Sequence, residues 1–155
     1  MDFYDWMLAL HLLAAFSIAA ALVLYSVMVI AGRRADTLDG TRNLYRLAPI
    51  GTPLMAVGMI LTLVLGIVLA VDAEAFELWD PWVIAAIVLW ALFGEVGRRT
   101  GVYYTETQKL AESGDAGAES EVLARLRAPT GARLHVLGLA IFLLLLLDMI
   151  FKPGA

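Results

Sequence analysis

The sequence predicts an all-α protein: an integral membrane four-helix bundle with a cytoplasmic helical hairpin between its third and fourth spans. Apolar residues make up 61% of the chain and charged residues only 17%, whereas soluble domains average about 45–50% and about 25%. Four segments of about 20 residues carry almost no charge, and as helices they are long enough to cross a hydrocarbon core of roughly 30 Å. None of them alternates with a period of two, so they are not barrel strands.

We expect one transmembrane domain over 1–155, with spans at about 6–31, 50–71, 81–102 and 132–151. The first span follows an acidic segment and is too long for a cleaved signal peptide, so we expect it to be retained. In the third span, the apolar run from Trp82 to Phe93 has only 12 residues, too few to cross. Asp80 and Pro81 mark its start, so the helix must continue through Glu95 to reach the far interface.

The hairpin is expected at about 103–130. A polar helix continues to about Glu112, a turn follows at 113–117, and a short return helix ends before Pro129. Charges of both signs alternate at 119–127, which is typical of a solvated helix face rather than of a binding site.

The distribution of Lys and Arg predicts the orientation. Four lie between the first two spans, six flank or fill the hairpin, and only Lys152 lies on the opposite side. This asymmetry predicts a multi-pass protein of the plasma (inner) membrane, with the basic loops in the cytoplasm and both termini outside. The net charge of −4 argues against nucleic acid as a partner. The bilayer is therefore the expected environment, and the absence of Cys excludes disulfides and thiolate metal sites.

Ionisable residues inside a span are candidates for function by default. The candidates are His11, Glu95 with its neighbours Arg98 and Arg99, His135 and Asp148. The two histidines lie in opposite halves of the bilayer, roughly 20 Å apart along its normal, so one haem iron cannot bind both within one chain. In the outer half His11 is level with Asp148, and in the inner half Glu95 is level with His135.

Each candidate also has a structural interpretation. Asp148 lies near the outer interface, where we expect it to reach water. His135 and Asp148 point about 140° apart on the fourth span, so we expect that they do not both face the bundle axis. Glu95 is either a functional carboxylate or simply the i,i+4 partner of Arg99, and the sequence favours neither.

His11 is the strongest cofactor candidate. It shares one helix face with Ala14, Ile18, Ala21 and Tyr25, a face with small residues that suits close packing or a planar ligand. Met7 lies one turn earlier, and a Met–His pair suits haem b or copper. An interhelical hydrogen bond is the other interpretation of His11, and both stay open here.

Gly58, Thr62 and Gly66 repeat at four-residue spacing on the second span. This small-xxx-small pattern predicts close helix packing. The partner is either another span of this chain or another subunit, so a homo-oligomer or a membrane-protein partner is expected.

Two features of the chain are shared with a known family. They are His11, near the outer start of the first span, and the Lys152-Pro153 tail after the fourth span. The chain resembles a bacterial family of predicted four-span integral membrane proteins of unassigned function, distantly similar to copper-resistance D proteins and HemJ-type protoporphyrinogen oxidases. The resemblance implies a porphyrin, haem or copper connection, with His11 matching the family's first-span histidine and Lys152 its tail lysine. HemJ-type enzymes carry a lysine in the third span, and 82–93 has none.

Two function classes follow from the sequence. The first is a small membrane protein associated with haem, porphyrin or copper, in a redox or handling role. The second is a non-catalytic oligomerising bundle, an accessory subunit or a small permeation unit built on Gly58, Thr62 and Gly66. The sequence does not decide whether the protein is an enzyme.

Overall fold

The computed structural model describes residues 2–37, 39–40, 46–72, 79–113 and 117–153, most of which are helical, with no strand among them. Five helices of ten residues or more follow one another. They are α1 (Phe3–Arg34), α2 (Ala48–Asp72), α3 (Pro81–Ser113), α4 (Ala118–Arg127) and α5 (Pro129–Phe151). The all-α prediction is confirmed.

Four segments are long and apolar enough to cross a membrane: Phe3–Arg34, Ala48–Val71, Pro81–Ser113 and Ala118–Phe151. Large apolar side chains cover the outside of the helices, and among the most exposed are Leu13, Phe16, Ile60 and Ile150, each more than 60% exposed. Such a surface would be unfavourable in water and is suited to lipid. These features indicate a multi-pass membrane protein.

The helix starts follow local signals in the sequence. The backbone N–H of Asp2 donates to the carboxylate of Asp5, 3.2 Å away, before the first turn of α1. Asp80 precedes Pro81, and its carbonyl accepts the N–H groups of Val83 and Ile84. As predicted, α3 does not stop at the end of its apolar run but continues as one helix to Ser113.

The helices are arranged as two pairs. Helix α1 packs along α2, and α3 packs along α5, whereas α2 and α3 lie apart for most of their length. Helix α1 also contacts α5, and there the buried side chains Ile18, Leu22, Phe93 and Ile141 form the main apolar core.

Glycines allow α1 and α2 to approach closely. At Gly58, a Cβ would collide with Ser17 Oγ and lie 3.0 Å from the Ala14 carbonyl oxygen. At Gly66, a Cβ would lie 3.2 Å from Cε1 of His11. The small-residue stripe of the second span therefore packs against α1 of the same chain, which answers the question that the sequence left open.

Helix α4 lies against α3 and α1 instead of standing alone. Its Val122 and Leu126 are buried with Ala111 of α3, and the Tyr103 hydroxyl donates to the Arg125 carbonyl at 2.6 Å. The helix bounds are close to those expected for the hairpin, whose cytoplasmic location stays a prediction. Glu119 and Glu121 are exposed, as expected of a solvated face, whereas the apolar side of α4 is buried. Burying Val122 and Leu126 holds α4 on the bundle.

The charges of α4 also connect it to α1. The Arg127 guanidinium donates to the Ala35 carbonyl at 3.1 Å and lies 3.2 Å from the Asp36 carboxylate. Arg33 of α1 donates in return to the Ala128 carbonyl at 3.1 Å. These contacts fix the end of the bundle at which α4 lies, called the hairpin end below; the opposite end is the far end.

The substitution Gly58→Ala should lower the free energy of unfolding in mild detergent by about 1–3 kcal/mol relative to Gly97→Ala, because a methyl at Gly58 overlaps atoms of α1. A Cβ at Gly97 meets no atom within 4 Å, and both changes gain the same helix propensity. Titration with SDS measures the difference. Equal unfolding free energies for the two variants would contradict the α1–α2 contact.

Candidate functional site

A cavity of about 530 Å³ lies at the hairpin end of the bundle, in the space between the two helix pairs. Its walls come from all five helices. They include residues within 22–32 of α1, 48–59 of α2 and 93–108 of α3, together with Leu126 of α4 and Leu134, His135 and Gly138 of α5. Its volume is within the range of about 300–1,000 Å³ that is usual for small-molecule sites. We call it the hairpin-end cavity.

The walls are mainly apolar. Three methionines, Met28, Met55 and Met59, line the cavity with the aromatic rings of Tyr25, Phe93 and Tyr104. Two of the polar lining groups bind within the chain: the Thr100 hydroxyl donates to the Val96 carbonyl, and the Tyr25 hydroxyl donates to Thr52. The cavity therefore suits a molecule that is bound by shape and apolar contact.

The cavity ends near the middle of the bundle, where α2 and α3 meet. The indole N–H of Trp90 donates to the Met59 carbonyl at 3.2 Å. At Gly94, a Cβ would lie 3.5 Å from the terminal methyl of Met59. Trp90 and Met59 thus join the two helix pairs at the closed end of the cavity.

The α3 wall of the cavity contains glycines that face open space. A Cβ at Gly97 or at Gly101 would meet no atom within 4 Å, apart from its own helix and chain neighbours. Both glycines are exposed, as are Thr52 and Ala56 on the facing α2. The gap between α2 and α3 is therefore lined by small side chains, which leaves room for a flat ligand.

His135 is the ionisable side chain of α5 that lines this cavity. The residue is 8% exposed, and its Nε2 lies 2.8 Å from the Ser26 hydroxyl of α1. That hydroxyl also lies 2.8 Å from the Leu22 carbonyl, to which it donates its single hydrogen. The Nε2–H of His135 is then the donor to Ser26, which leaves Nδ1 unprotonated.

Glu95, which the sequence places level with His135, does not bond to it. Glu95 turns to the exposed side of α3, where its carboxylate lies 2.8 Å from Arg98 and 2.7 Å from Arg99. The i,i+3 and i,i+4 spacing accounts for both contacts. Of the two interpretations that the sequence left open for Glu95, the structure shows the ion pair.

His11 lies in the other half of α1 and does not line the hairpin-end cavity. Its ring faces α2, against the backbone of Thr62 and beside Gly66. Ser26, the partner of His135, follows His11 by 15 residues, or roughly 22 Å of helix. The separation of the two histidines, predicted at roughly 20 Å, is confirmed.

The predicted face of His11 is largely buried, since Ala14, Ile18 and Ala21 are each at most 4% exposed. Those residues pack inside the bundle and do not line the hairpin-end cavity, whose edge on α1 is at Leu22. Among the described residues, no group of three or more His, Asp or Glu could hold a metal. Met7 is only partly buried, one turn before His11.

Asp148 does not reach water as expected. The residue is 8% exposed, as is His135, so both are buried although they point about 140° apart. They do not share one face of α5, as expected, and both are buried because α5 packs against two helices. His135 faces α1, and Asp148 lies at the end of α5 that runs beside the start of α3.

The residues that shape the cavity were not among those predicted from the sequence to have a function. Ser26 gives no signal, since a serine in an apolar span normally bonds to its own helix. The Gly94, Gly97 and Gly101 series did carry a signal, because its spacing of three and four residues resembles the stripe noted at Gly58. It would have indicated a second small-residue face on the third span.

Comparison with protein-family models, with curated proteins and with solved structures gave no match for this chain. The resemblance to copper-resistance D and HemJ-type proteins therefore stays a prediction.

The hydrogen bond between Ser26 and His135 should contribute about 0.5–1.5 kcal/mol of coupling to stability. The variants Ser26→Ala and His135→Leu, and the double variant, form a thermodynamic cycle that can be measured by SDS unfolding in mild detergent. Each single change leaves one buried polar group without its partner, so the double variant should be less destabilised than the sum of the two. Strict additivity would contradict the contact.

Proposed function

We propose that this chain is a multi-pass plasma-membrane protein that binds a porphyrin-class ring in the hairpin-end cavity, in a handling role. The observation that carries the proposal is the cavity itself: about 530 Å³, mainly apolar, and bounded by glycines on one wall. A flat apolar ring fits the space between α2 and α3, because small side chains line both walls there.

The side chains of the cavity are of the types that accompany haem. Imidazole and thioether groups bind haem iron in many proteins, and His135 with Met28, Met55 and Met59 are present here. The Nε2 of His135, however, is already hydrogen-bonded to the Ser26 hydroxyl at 2.8 Å. Recognition of the ring by shape and apolar contact therefore fits this site better than ligation of its iron by Nε2.

We propose a porphyrin rather than copper because the cavity is large and its walls are mainly apolar. The described residues also bring together no group of three or more His, Asp or Glu. His11, the residue expected to hold a cofactor, packs against α2 instead. Its support for a cofactor is the family resemblance alone.

The alternative of an oligomerising bundle was based on the small-residue stripe of the second span, and this stripe is already covered within the chain. Gly58 and Gly66 already pack against α1 in the same chain, and the Thr62 hydroxyl donates to the Gly58 carbonyl at 2.6 Å. A second copy or a partner subunit would have to use another face of the helices.

Purified protein in mild detergent should bind added metal-free protoporphyrin, seen as a shifted and narrowed Soret band. The variant Gly97→Leu should weaken binding roughly tenfold or more, because the leucine side chain extends into the open wall. Ala91→Leu is the matched control, since Ala91 is exposed on the same helix outside the cavity.

Haem should bind about as well as metal-free protoporphyrin if the ring is recognised by shape. Binding of haem alone, abolished by His135→Leu, would indicate iron ligation and overturn this mode of recognition. Absence of binding by either ring, or equal binding by Gly97→Leu and wild type, would refute the proposed site.

For the orientation, we propose that the basic hairpin end faces the cytoplasm and both termini face outward, on the basis of the Lys and Arg distribution. The chain has no Cys, so single introduced cysteines report cleanly. Phe3→Cys should be labelled from outside intact cells by a membrane-impermeant maleimide, and Ser120→Cys only after lysis, since both positions are exposed. The reverse labelling pattern would contradict the proposed orientation.

A further inference from the structure

The far end of the bundle holds a buried carboxyl group that the proposed function does not use. Asp148 is 8% exposed, and its Oδ2 is fully enclosed without a hydrogen-bond partner. It follows His135 by 13 residues, roughly 20 Å along α5, so it lies far from the hairpin-end cavity.

Helix α5 ends one turn after Asp148. The backbone N–H of Lys152 donates to the backbone carbonyl of Asp148 at 2.8 Å. Lys152 itself has a left-handed backbone conformation, with φ 41°, and the helix ends there. The Lys152 ammonium lies 5.3 Å from the ring centroid of Trp82, which is itself 6% exposed. The ammonium is thereby directed at an indole face of α3.

The surrounding charges do not neutralise an ionised Asp148. Among the described residues, the titratable groups at this end include Lys152 on α5, Asp72 at the end of α2, Asp80 before α3, and Asp2, Tyr4, Asp5 and His11 on α1. None of the described residues donates a hydrogen bond to the enclosed Oδ2 of Asp148. An enclosed carboxylate without a partner is unfavourable by several kcal/mol or more, whereas the neutral acid is tolerated.

We propose that Asp148 is a proton-binding site, which holds a neutral carboxylic acid at neutral pH and exchanges its proton with water at the far end of the bundle. Its place in the last turn of α5, three residues before the helix ends at Phe151, puts the group within reach of the aqueous phase. The chain thus has an acid site at the far end that is separate from the ring-binding cavity.

Infrared difference spectroscopy of the full chain in lipid, wild type minus Asp148→Asn, tests this proposal. At about pH 8, where free carboxyl groups are ionised, the wild type should show the C=O band of a carboxylic acid that the variant lacks. The band should shift when water is replaced by deuterium oxide. Asp5→Asn is the control, since Asp5 is exposed and should contribute only carboxylate bands.

Three results would overturn the proposal. Carboxylate bands at Asp148 would show that the group is ionised. An acid band that appears only in the Lys152→Gln variant would show an ion pair with that lysine in the wild type. An acid band unmoved by deuterium oxide would show a sealed structural acid. Ring binding by Asp148→Asn should equal that of the wild type, so failure here leaves the proposed function standing.

Discussion

The close approach of α1 and α2 at Gly58 is the contact on which the rest of the bundle depends. Apolar side chains gain little by leaving lipid for a helix interface, so helices in a bilayer associate where small residues let their backbones come together. Gly58 and Gly66 provide this on α2, and Gly131 and Gly138 provide the corresponding faces on α5 against α3. The result is two tight helix pairs rather than four evenly spaced helices.

The hairpin-end cavity is a consequence of this pairing. Each pair satisfies its own packing, and the pairs meet through α1 and α5, through the Ser26–His135 bond and through Trp90 bonded to Met59. Between α2 and α3, no bulky residue fills the space next to Gly97. Substituting a large residue there would fill the cavity without disturbing either pair.

Polar groups divide the molecule into two regions. At the hairpin end, the arginines of α1, α3 and α4 bind carbonyls or carboxylates, so the basic residues both support the orientation and hold α4 in place. At the far end, Asp148 is a buried carboxyl group. The cavity proposed for the ring and the group proposed to bind a proton therefore lie at opposite ends of the bundle, roughly 20 Å apart along α5.

The sequence predicted the helices well because their signals are local. The apolar lengths, the Asp80-Pro81 start and the continuation of α3 through Glu95 depend on residues close in the chain. The stripe at Gly58 predicted packing but not its partner, because spacing within one helix does not reveal which helix lies opposite.

The candidate site could not be predicted in the same way. It depends on which residues of different helices meet, and depth along the bilayer does not fix rotation about each helix axis. Glu95 and His135 are at similar depth, yet Glu95 bonds to arginines and His135 to Ser26. Similarly, the position of Asp148 near the end of its span predicts contact with water, but the sequence does not reveal that α3 packs beside this end of α5.

The measurement that tests the central claim most directly is an experimental structure of the chain in lipid nanodiscs with bound protoporphyrin. We expect density for the ring between α2 and α3, bounded by Met55, Met59 and Gly97, with the Ser26–His135 hydrogen bond intact. Direct packing of α2 on the Gly97 and Gly101 face, with no cavity and no ring between the helix pairs, would contradict it.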